Sequence, residues 1–324
     1  MDINILILSV GRRVELVKCF KEAANLAEVN SKIVTTDISE SAPAIYFGDK
    51  NYIIPRIGQE GYIEKIIEIC KSEDIKLIVP TIDTELLIMA ENKEYIQNET
   101  QAKVLISDIR AIEICRNKIN TNRFFEQYGF GVPKEITTED IINKNYDLPL
   151  FIKPFNGSSS INTFKVNTEK ELIFFREYVT NPIIQEFIEG KEYTVDVFLD
   201  FEGNPITIVP RERLATRSGE IAKGRIVKDR ELIEEVKKVV IALKAIGHIT
   251  VQCMKTKDGI KFIEINPRFG GGAPMSIKAG ANSPLNIYKL LKGEKLEYNE
   301  DYADNMLALR FDETIFLNKN GETI

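Results

Sequence analysis

The sequence predicts an α/β region with a parallel sheet, followed by an α+β region of mostly antiparallel strands. In the first third of the chain, short apolar strands alternate with segments of helical spacing, which is the pattern of βαβ units. From about Asp108 the pattern changes to short strands arranged as hairpins, with few helices between them. The two patterns place a domain boundary at about residues 108–120.

Apolar runs in the first region predict four strands, and amphipathic segments predict the helices between them. The predicted strands are INILILSV, SKIVTTDI, IKLIVPTID and AKVLIS, and the predicted helices are RRVELVKCFKEAANLA, QEGYIEKIIEICKSED and TELLIMAENKEYIQ. The carboxyl ends of parallel strands meet at one edge of a sheet, where ligands bind. We therefore expect the loops SVGRR, TTDISES and PTIDTE to border a site.

The second region begins with helical spacing in SDIRAIEICRNKINTNRFFEQYGF, which ends at Gly129 before the turn GVP. One later segment, DRELIEEVKKVVIALKAIG, also has helical spacing. The predicted strands are LPLFIKP, TFKV, PIIQEFI, EYTVDVFLD, PITIVPRERL, KGRIVKD, HITVQCMKT and IKFIEINP. This order predicts an α+β fold built from hairpins.

Composition narrows the class of protein. The chain has 324 residues, 44% hydrophobic and 28% charged, which is ordinary for a soluble globular protein. A net charge of −6 argues against a general nucleic-acid binder. The four cysteines form no CxxC pair, and the first apolar run is too short to span a bilayer and precedes its positive charges. We expect a cytoplasmic protein that binds neither nucleic acid nor membrane.

Three common site types have little support in the sequence. The turn SVGRR has one glycine where a dinucleotide-binding turn has three, and Asp37 alone is weak evidence for a ribose site. No GxxxxGK[ST] phosphate loop occurs. His248 is the only histidine, so a Ser-His-Asp triad or a conventional zinc set is not expected.

Lys153 ends an apolar strand and precedes a turn of Gly157, Ser158, Ser159 and Ser160. Backbone N–H groups and hydroxyls of such a turn can surround phosphate oxygens, and a lysine adds a point charge. The alternative is a surface turn beside a solvated lysine, which is favoured for an isolated Gly-Ser turn.

The segment PIIQEFIEGKEY combines apolar and acidic residues in a way that suits an adenine nucleotide. Backbone groups of Glu186, Phe187 and Ile188 could meet the edge of an adenine ring, and Glu192 could accept hydrogen bonds from ribose hydroxyls. The same alternation is typical of any half-buried strand, so the segment alone does not decide between the two.

Polar residues alternate with isoleucines in the strand KFIEINPRFGGG. Residues two apart on a strand share a face, so Glu264 and Asn266 are expected side by side, with Phe262 on the same face. Together with Gln252 on the preceding strand they offer oxygen ligands of the kind that Mg²⁺ takes. The alternative is a buried polar cluster satisfied internally, with Arg268 as one partner.

Several basic residues stand out in this acidic chain: Lys118, Arg211, Arg213, Arg217, Lys223, Arg225 and Arg268. Arg211 and Arg213 are expected on one strand face, where they could hold a carboxylate or an acyl phosphate. With Asp83 and Glu85 of the PTIDTE loop they are the candidate substrate residues, although most arginines are simply solvated. The candidate catalytic residues are Arg268, Lys153 and Arg225.

The order of these motifs resembles the ATP-grasp superfamily, and in particular stand-alone relatives of the carbamoyl-phosphate synthase large chain. The ordered set is Lys118, Lys153-Pro with the Gly-Ser turn, QEFIEGKEY, Gln252 and EINPRFGG, and ILILSVGRRVELVKCFKEA, TTDIS and VPTIDTEL resemble that family's N-terminal domain. The resemblance implies an α/β Rossmann-like (pre-ATP-grasp) domain followed by an α+β ATP-grasp fold of two subdomains. The expected domains are 1–112, 113–185 with a glycine-rich lid, and 186–324 with a magnesium site.

The resemblance also implies roles for individual residues. The implied ATP-binding residues are Lys118, Lys153, Gly157, Ser158, Ser159, Ser160, Glu186, Phe187, Ile188 and Glu192. The implied ligands of Mg²⁺, or alternatively Mn²⁺, are Gln252, Glu264 and Asn266. Arg268 would steady the transferred phosphoryl group and the acyl phosphate.

The implied activity is that of an ATP-dependent ligase that converts a carboxylate to an acyl phosphate, which an amine or another nucleophile then attacks. The alternative is a non-catalytic ATP-binding regulatory or scaffold protein of the same fold. The chain departs from the synthase in having one ATP-grasp unit rather than two in tandem. No biotin-carrier segment is visible in the sequence, which argues against a carboxylase. The resemblance implies small-molecule carboxylate and amine substrates, and it raises a homodimer as one assembly, but it leaves the acid and the nucleophile open.

Overall fold

The computed structural model describes residues 1–155, 161–319, 321 and 323. Its first part is a five-stranded sheet in which every neighbouring pair is parallel. The strands are β1 (Asn4–Ile7), β2 (Ile33–Asp37), β3 (Lys50–Ile53), β4 (Ile75–Val79) and β5 (Lys103–Val104), in the spatial order β3-β2-β1-β4-β5. The predicted parallel α/β sheet is confirmed.

Helices cover both faces of this sheet. Alternate residues of β1 point to opposite faces, and both sets are apolar and buried. Ile5 and Ile7 pack with Phe20 on one side, and Leu6 packs with Tyr62 on the other. The helices are α1 (Val14–Leu26), a 3₁₀ helix (Pro43–Phe47), α2 (Tyr62–Ser72), α3 (Asp83–Glu91) and α4 (Lys93–Thr100). Strand β3 was not predicted, since this edge strand is mostly exposed and lacks an apolar run.

Short helices lead out of the parallel sheet, and their first turns are fixed by side-chain caps. They are α5 (Ile109–Arg116), α6 (Lys118–Gln127) and α7 (Thr138–Ile142). The carboxylate of Asp108 accepts a hydrogen bond from the Ala111 N–H, and the Asn117 side chain accepts from the N–H groups of Ile119 and Asn120. The Asn117 cap makes Lys118 the first residue of α6.

Two antiparallel sheets form the second part. The smaller has the order β7-β6-β8, and the larger has the order β13-β12-β9-β10-β11-β14. Their elements are β6 (Leu150–Pro154), β7 (Phe164–Val166), α8 (Glu169–Tyr178), β8 (Pro182–Glu186), β9 (Lys191–Leu199), β10 (Pro205–Arg217), β11 (Glu220–Ile226), α9 (Arg230–Leu243), β12 (Gly247–Thr256), β13 (Gly259–Asn266), α10 (Ala273–Lys278), α11 (Ser283–Leu291) and β14 (Leu307–Leu309). This arrangement agrees with the predicted α+β region.

The two faces of the six-stranded sheet differ in chemistry. One face packs its valines, among them Val195 and Val251, against Val236 and Val240 of α9. The other face carries polar side chains from β9, β10, β12 and β13. That polar face is where the candidate site lies.

A β-bulge in β13 changes which residues share a face. Gln252 pairs with Glu264 but Cys253 pairs with Phe262, so Ile263 is an extra residue in β13. Phe262 and Ile265 consequently both pack into the core, while Glu264 and Asn266 turn away from it. The expectation that Phe262 shares a face with Glu264 is therefore wrong, because strict alternation does not hold across a bulge.

Among the described residues, no helix has the combination of length and hydrophobicity that crossing a bilayer requires. The proposed domain boundaries of 1–112, 113–185 and 186–324 stay predictions.

Candidate active site

Four polar side chains form a row across three neighbouring strands, which we call the open cluster: Glu192 of β9, Gln252 of β12, and Glu264 and Asn266 of β13. The Asn266 Nδ2 donates to Glu264 Oε1 (3.0 Å), Glu264 lies opposite Gln252 in the strand register, and Gln252 Nε2 donates to Glu192 Oε1. All four side chains belong to residues that are partly exposed. The structure therefore brings the three predicted metal ligands together.

Glu192 is also held from β10. Arg213 Nε lies 3.0 Å from Glu192 Oε1, and Arg213 Nη1 donates to Thr194 Oγ1 (3.2 Å). Arg213, predicted to contact substrate, therefore borders the open cluster through Glu192. The ion pair fixes the Glu192 carboxylate, so a ribose would share that carboxylate with Arg213.

Lys118 and Lys153 are close to the open cluster. Lys153, on β6, is 8% exposed, and its ammonium forms no hydrogen bond or ion pair with the described residues. Lys118 Nζ, by contrast, donates to the Pro154 carbonyl (3.0 Å). Burial, and then the Lys118 charge, lowers the pKa of Lys153 to about 8, while the Glu264 carboxylate acts in the opposite direction. Burial also lowers the pKa of Lys118, and the Glu264 carboxylate again acts to raise it. Both desolvated cations thus interact with the Glu264 carboxylate, and Lys153 also interacts with Glu135.

The predicted adenine-contacting segment leaves β8 at Glu186. The Glu186 N–H donates to the Lys134 carbonyl (2.9 Å), and Glu186 Oε1 accepts from the Lys134 N–H (2.9 Å). The Phe187 N–H donates to the Pro149 carbonyl (3.3 Å), and the Ile188 N–H donates to no carbonyl of the described backbone. These three residues are half-buried, and their contact with adenine stays a prediction. The predicted lid, Gly157, Ser158, Ser159 and Ser160, lies outside the described residues.

Arg268 joins the two parts of the molecule. Its Nε donates to Asp83 Oδ1 (2.9 Å) and its Nη2 donates to Asp83 Oδ2 (2.5 Å), while its Nη1 donates to the Phe269 carbonyl (3.1 Å). Asp83 begins α3, directly after the β4 loop, so the PTIDTE loop does border the site as predicted from the sheet edge. Asn266 Oδ1 lies 3.4 Å from Arg268 Nη2, which connects the pair to the open cluster.

A second group of polar residues on the same sheet face is enclosed by protein, and we call Asp196, Arg211 and His248 the buried cluster. Arg211 Nε and Nη2 donate to the two oxygens of Asp196 at 2.6 and 3.0 Å, and His248 Nε2 lies 3.7 Å from Asp196 Oδ1. Burial favours a higher pKa for Asp196, but Arg211 and His248 outweigh it and hold that pKa below its usual range.

Two predicted substrate residues, Arg211 and Glu85, are buried and bonded inside the protein. Arg211 is 2% exposed because its charge is satisfied by Asp196 inside the protein. Glu85 is 0% exposed, and its carboxylate accepts hydrogen bonds from Ser9 Oγ, Tyr62 Oη and the N–H groups of Thr81 and Ile82. Burial raises the pKa of Glu85, whereas these hydrogen bonds act to lower it. Both placements argue against direct substrate contact, and Glu85 instead fixes two loops of the site.

Arg225, a predicted catalytic residue, is separated from the open cluster. It lies on β11, where its backbone pairs with Glu212 and Leu307, and its side chain is exposed. Within the described residues it forms no ion pair with Glu192 or Glu264. The structure does not bring Arg225 to the other catalytic candidates, because β9 and β10 stand between β11 and β12.

Two charged residues that were not predicted border the site. Arg13 follows β1 and donates through Nη2 to the Thr81 carbonyl (2.5 Å), two residues before Asp83. Glu220 of β11 is placed so that a Cβ on Gly271 would lie 2.8 Å from its carboxylate oxygens. The sequence signal for Arg13 was its position in the SVGRR loop at a strand end, whereas Glu220 gave no local signal.

Comparison with known protein families agrees with both parts of the structure. Residues 5–105 match the model described as the PylC-like N-terminal domain, and residues 115–272 match the model described as the ATP-grasp domain. The chain therefore contains an ATP-grasp domain that follows a PylC-like N-terminal domain. The predicted resemblance and the predicted fold class are thereby confirmed.

Similar proteins include ligases and synthases. The chain is 23% identical over 291 residues to a carbamoyl-phosphate synthase of Methanobrevibacter smithii, covering 82% of this chain and 78% of that protein. It is 25% identical over 261 residues to a D-alanine–D-alanine ligase of Bacillus anthracis, covering 70% and 83%. A solved structure of the biotin carboxylase domain dimer of Hydrogenobacter thermophilus 2-oxoglutarate carboxylase, with MgADP, ADP and bicarbonate, matches with a TM-score of 0.69 at 18% identity, covering 94% of this chain and 73% of that chain.

The open cluster of this ATP-grasp protein suits a magnesium ion that is shared with a nucleotide. Within the described part of the chain, no group of three or more His, Cys, Asp or Glu could hold a metal. Glu264 supplies one carboxylate, and Gln252 and Asn266 can each supply an amide oxygen. Magnesium takes one or two carboxylates and fills its remaining positions with phosphate oxygens and water, so this donor set fits a nucleotide-bound ion.

Proposed function

We propose that the protein is an ATP- and Mg²⁺-dependent ligase that activates a small-molecule carboxylate as an acyl phosphate for attack by an amine or another nucleophile. The observation that carries this proposal is the buried ammonium of Lys153, which has no partner among the described residues and lies beside Lys118 and Glu264. A desolvated cation without a protein anion is costly unless a ligand supplies the anion.

The arrangement of charges suits ATP phosphates. Lys118 and Lys153 would contact phosphate oxygens, and Glu264, Gln252 and Asn266 would hold Mg²⁺, which neutralises the charge that develops during phosphoryl transfer. Such a transfer depends on positioning and charge rather than on a protein nucleophile. The proposed roles therefore require no catalytic triad.

The proposed reaction has two displacement steps. A carboxylate oxygen of the acid attacks the terminal phosphorus of ATP, the bond to the bridging oxygen breaks, and ADP leaves. The nucleophile then attacks the acyl carbon, phosphate leaves, and an amine nucleophile loses one proton. Arg268, oriented by Asp83, would stabilise negative charge on the transferred phosphoryl group.

The proposed substrates are therefore a small-molecule carboxylate and an amine, with ATP as the phosphoryl donor. A cytoplasmic location and a homodimeric assembly stay predictions.

The experiment that tests this proposal measures ADP formation while amino acids and sugar acids are screened in combination with amines. We expect ADP and phosphate to appear only when the acid and the nucleophile are both present. Glu264→Gln should reduce the rate by about 10²-fold or more, since it removes the charged metal ligand. Glu177→Gln, an exposed glutamate on α8, is the matched control and should keep the wild-type rate.

Full activity of Glu264→Gln would contradict the metal assignment. ATP binding without ADP formation in any combination of acid and amine would favour the alternative of a non-catalytic ATP-binding protein.

A further inference from the structure

Arg13 is a largely buried cation for which the described protein supplies no anion. Its Nη2 donates to the neutral Thr81 carbonyl, and its Nε is buried without a hydrogen-bond partner. Among the described residues it forms no ion pair. A guanidinium in this state has lost hydration and has gained no charge-assisted hydrogen bond, which is energetically unfavourable.

The carboxylates near Arg13 are already engaged elsewhere. Asp83 accepts both bonds of the Arg268 fork, Glu85 accepts from backbone N–H groups and hydroxyls, and Glu220 Oε2 accepts from Arg310 Nη1 (2.9 Å). Burial, and then the Arg268 charge, lowers the pKa of Arg13, while Glu220, Asp83 and Glu85 oppose the shift from a distance. Two guanidinium groups therefore lie near each other, and among the described residues only Arg268 is paired directly with a carboxylate.

Arg268 has little capacity left for an anion. Its Nε and one Nη2 N–H point to Asp83, the other Nη2 N–H points to Asn266 Oδ1 (3.4 Å), and one Nη1 N–H points to the Phe269 carbonyl. A guanidinium has five N–H donors in a planar fork, so Arg268 can offer an incoming anion at most a single well-directed N–H. Bidentate recognition at this edge of the sheet must come from the other arginine.

We infer that Arg13 binds an anionic group of the acid substrate, a carboxylate or a phosphate, with Arg268 contributing to the same group from the opposite domain. The site lies where the loops after β1 and β4 meet the turn after β13, at the carboxyl edge of the parallel sheet. The identity of the ligand as the acid substrate rests on the proposed function, but the existence of the anion site does not.

The test uses thermal unfolding of the full chain in sodium phosphate and in sodium malonate, each compared with sodium chloride at equal ionic strength. We expect phosphate, malonate or both to raise the unfolding midpoint of the wild type, and the two salts distinguish a phosphate from a carboxylate ligand. Arg13→Gln should lose this increase, and Arg13→Lys should keep only part of it, because a lysine cannot form the planar fork.

Arg12→Gln is the matched control, since Arg12 is the neighbouring arginine and its side chain is 82% exposed. This variant should respond to the anions as the wild type does. An anion response that is equal in Arg13→Gln and the wild type would overturn the inference, as would the absence of any response to either anion in the wild type.

Lys153→Met separates this inference from the proposed function. The variant should lose stabilisation by MgATP but keep the response to whichever of the two anions stabilises the wild type, while Arg13→Gln should show the reverse. If MgATP does not stabilise the wild type but the Arg13-dependent response to the anions persists, the proposed function fails and the anion site stands. If the anion response depends on Lys153 and not on Arg13, the inference fails.

Discussion

The open cluster and the buried cluster lie on the same face of one sheet, yet their surroundings give them different properties. In the buried cluster, the Asp196 carboxylate binds Arg211, and His248 stacks on Phe269 with ring centroids 4.1 Å apart while its Nδ1 lies 3.0 Å from Ser283 Oγ. In the open cluster, the residues are partly exposed and the nearby Lys153 has no partner within the described chain.

The difference shows that polar residues on alternate strand positions do not by themselves indicate a ligand. The polar residues of both clusters occupy alternate positions of their strands. The sequence therefore predicts a substrate role for Arg211 as readily as a metal role for Glu264. What separates them is whether the protein supplies the opposite charge. In the buried cluster Asp196 balances the Arg211 charge, although Arg211 Nη1 and His248 Nε2 have no hydrogen-bond partner among the described residues. The contribution of this cluster should therefore be to stability, whereas the open cluster should contribute to binding.

The largest expected effect is on stability, from Asp196→Ala. Removing this carboxylate leaves the 2% exposed Arg211 charged and unpaired, which should lower the free energy of unfolding by about 3–5 kcal/mol. Urea denaturation followed by circular dichroism measures this change. A loss below about 1 kcal/mol would mean that the buried cluster is not structural.

The double variant Asp196→Leu with Arg211→Met is the control for that result. Apolar residues of similar volume in place of a buried ion pair are often neutral or stabilising, so most of the lost stability should return. A double variant as unstable as Asp196→Ala would show that the pair has a role beyond mutual charge compensation.

The second effect is on ligand binding, from Lys153→Met. We expect this variant to bind MgATP about 10²-fold more weakly, since a charge-assisted contact to a phosphate is lost, while its unfolding midpoint stays equal or rises. Calorimetric titration and thermal unfolding measure the two quantities. Lys170→Met, an exposed lysine on α8, should change neither. A destabilised Lys153→Met with unchanged affinity would place Lys153 among the structural residues.

The smallest expected effect is a pH dependence of stability. Lys153 has a pKa of about 8 in the folded protein, below the value of about 10.4 for an unfolded chain. Between these values the unfolded state binds more protons, so this residue makes the protein more stable as pH rises.

Between pH 7 and pH 9 this residue should increase the free energy of unfolding of the wild type by about 1 kcal/mol, and the increase should be absent in Lys153→Met. Urea denaturation of both proteins at the two pH values separates the contribution of Lys153 from that of other groups that titrate between pH 7 and pH 9. Equal pH dependence in the two proteins would mean that the Lys153 ammonium is not desolvated as the structure indicates.

Most of the fold was predictable because its signals are local. Strand–helix alternation predicted the parallel sheet, and the hairpin pattern predicted the α+β region. The exposed edge strand β3 has no apolar period, and the bulge at Ile263 reverses the faces that strict alternation assigns. Local periodicity therefore predicts neither the edge strand β3 nor the bulge at Ile263.

The site was predictable in part for a similar reason. Gln252, Glu264 and Asn266 lie on one hairpin, so their proximity follows from local pairing. The Arg268–Asp83 pair and the position of Arg13 depend on contacts between residues that are distant in sequence. The Arg211–Asp196 pair lies on the neighbouring strands β9 and β10, but its burial does not follow from the local pattern. Whether a charge is satisfied inside the protein can be judged only when those contacts are known.

The most direct test of the central claim, that the open cluster binds a magnesium-complexed nucleotide, is calorimetric titration of ATP with and without Mg²⁺. The account predicts that Mg²⁺ strengthens ATP binding by about tenfold or more in the wild type and has little effect in Glu264→Gln, because the single carboxylate of the donor set is gone. An ATP affinity that is the same with and without Mg²⁺, or a magnesium effect that survives in Glu264→Gln, would contradict it.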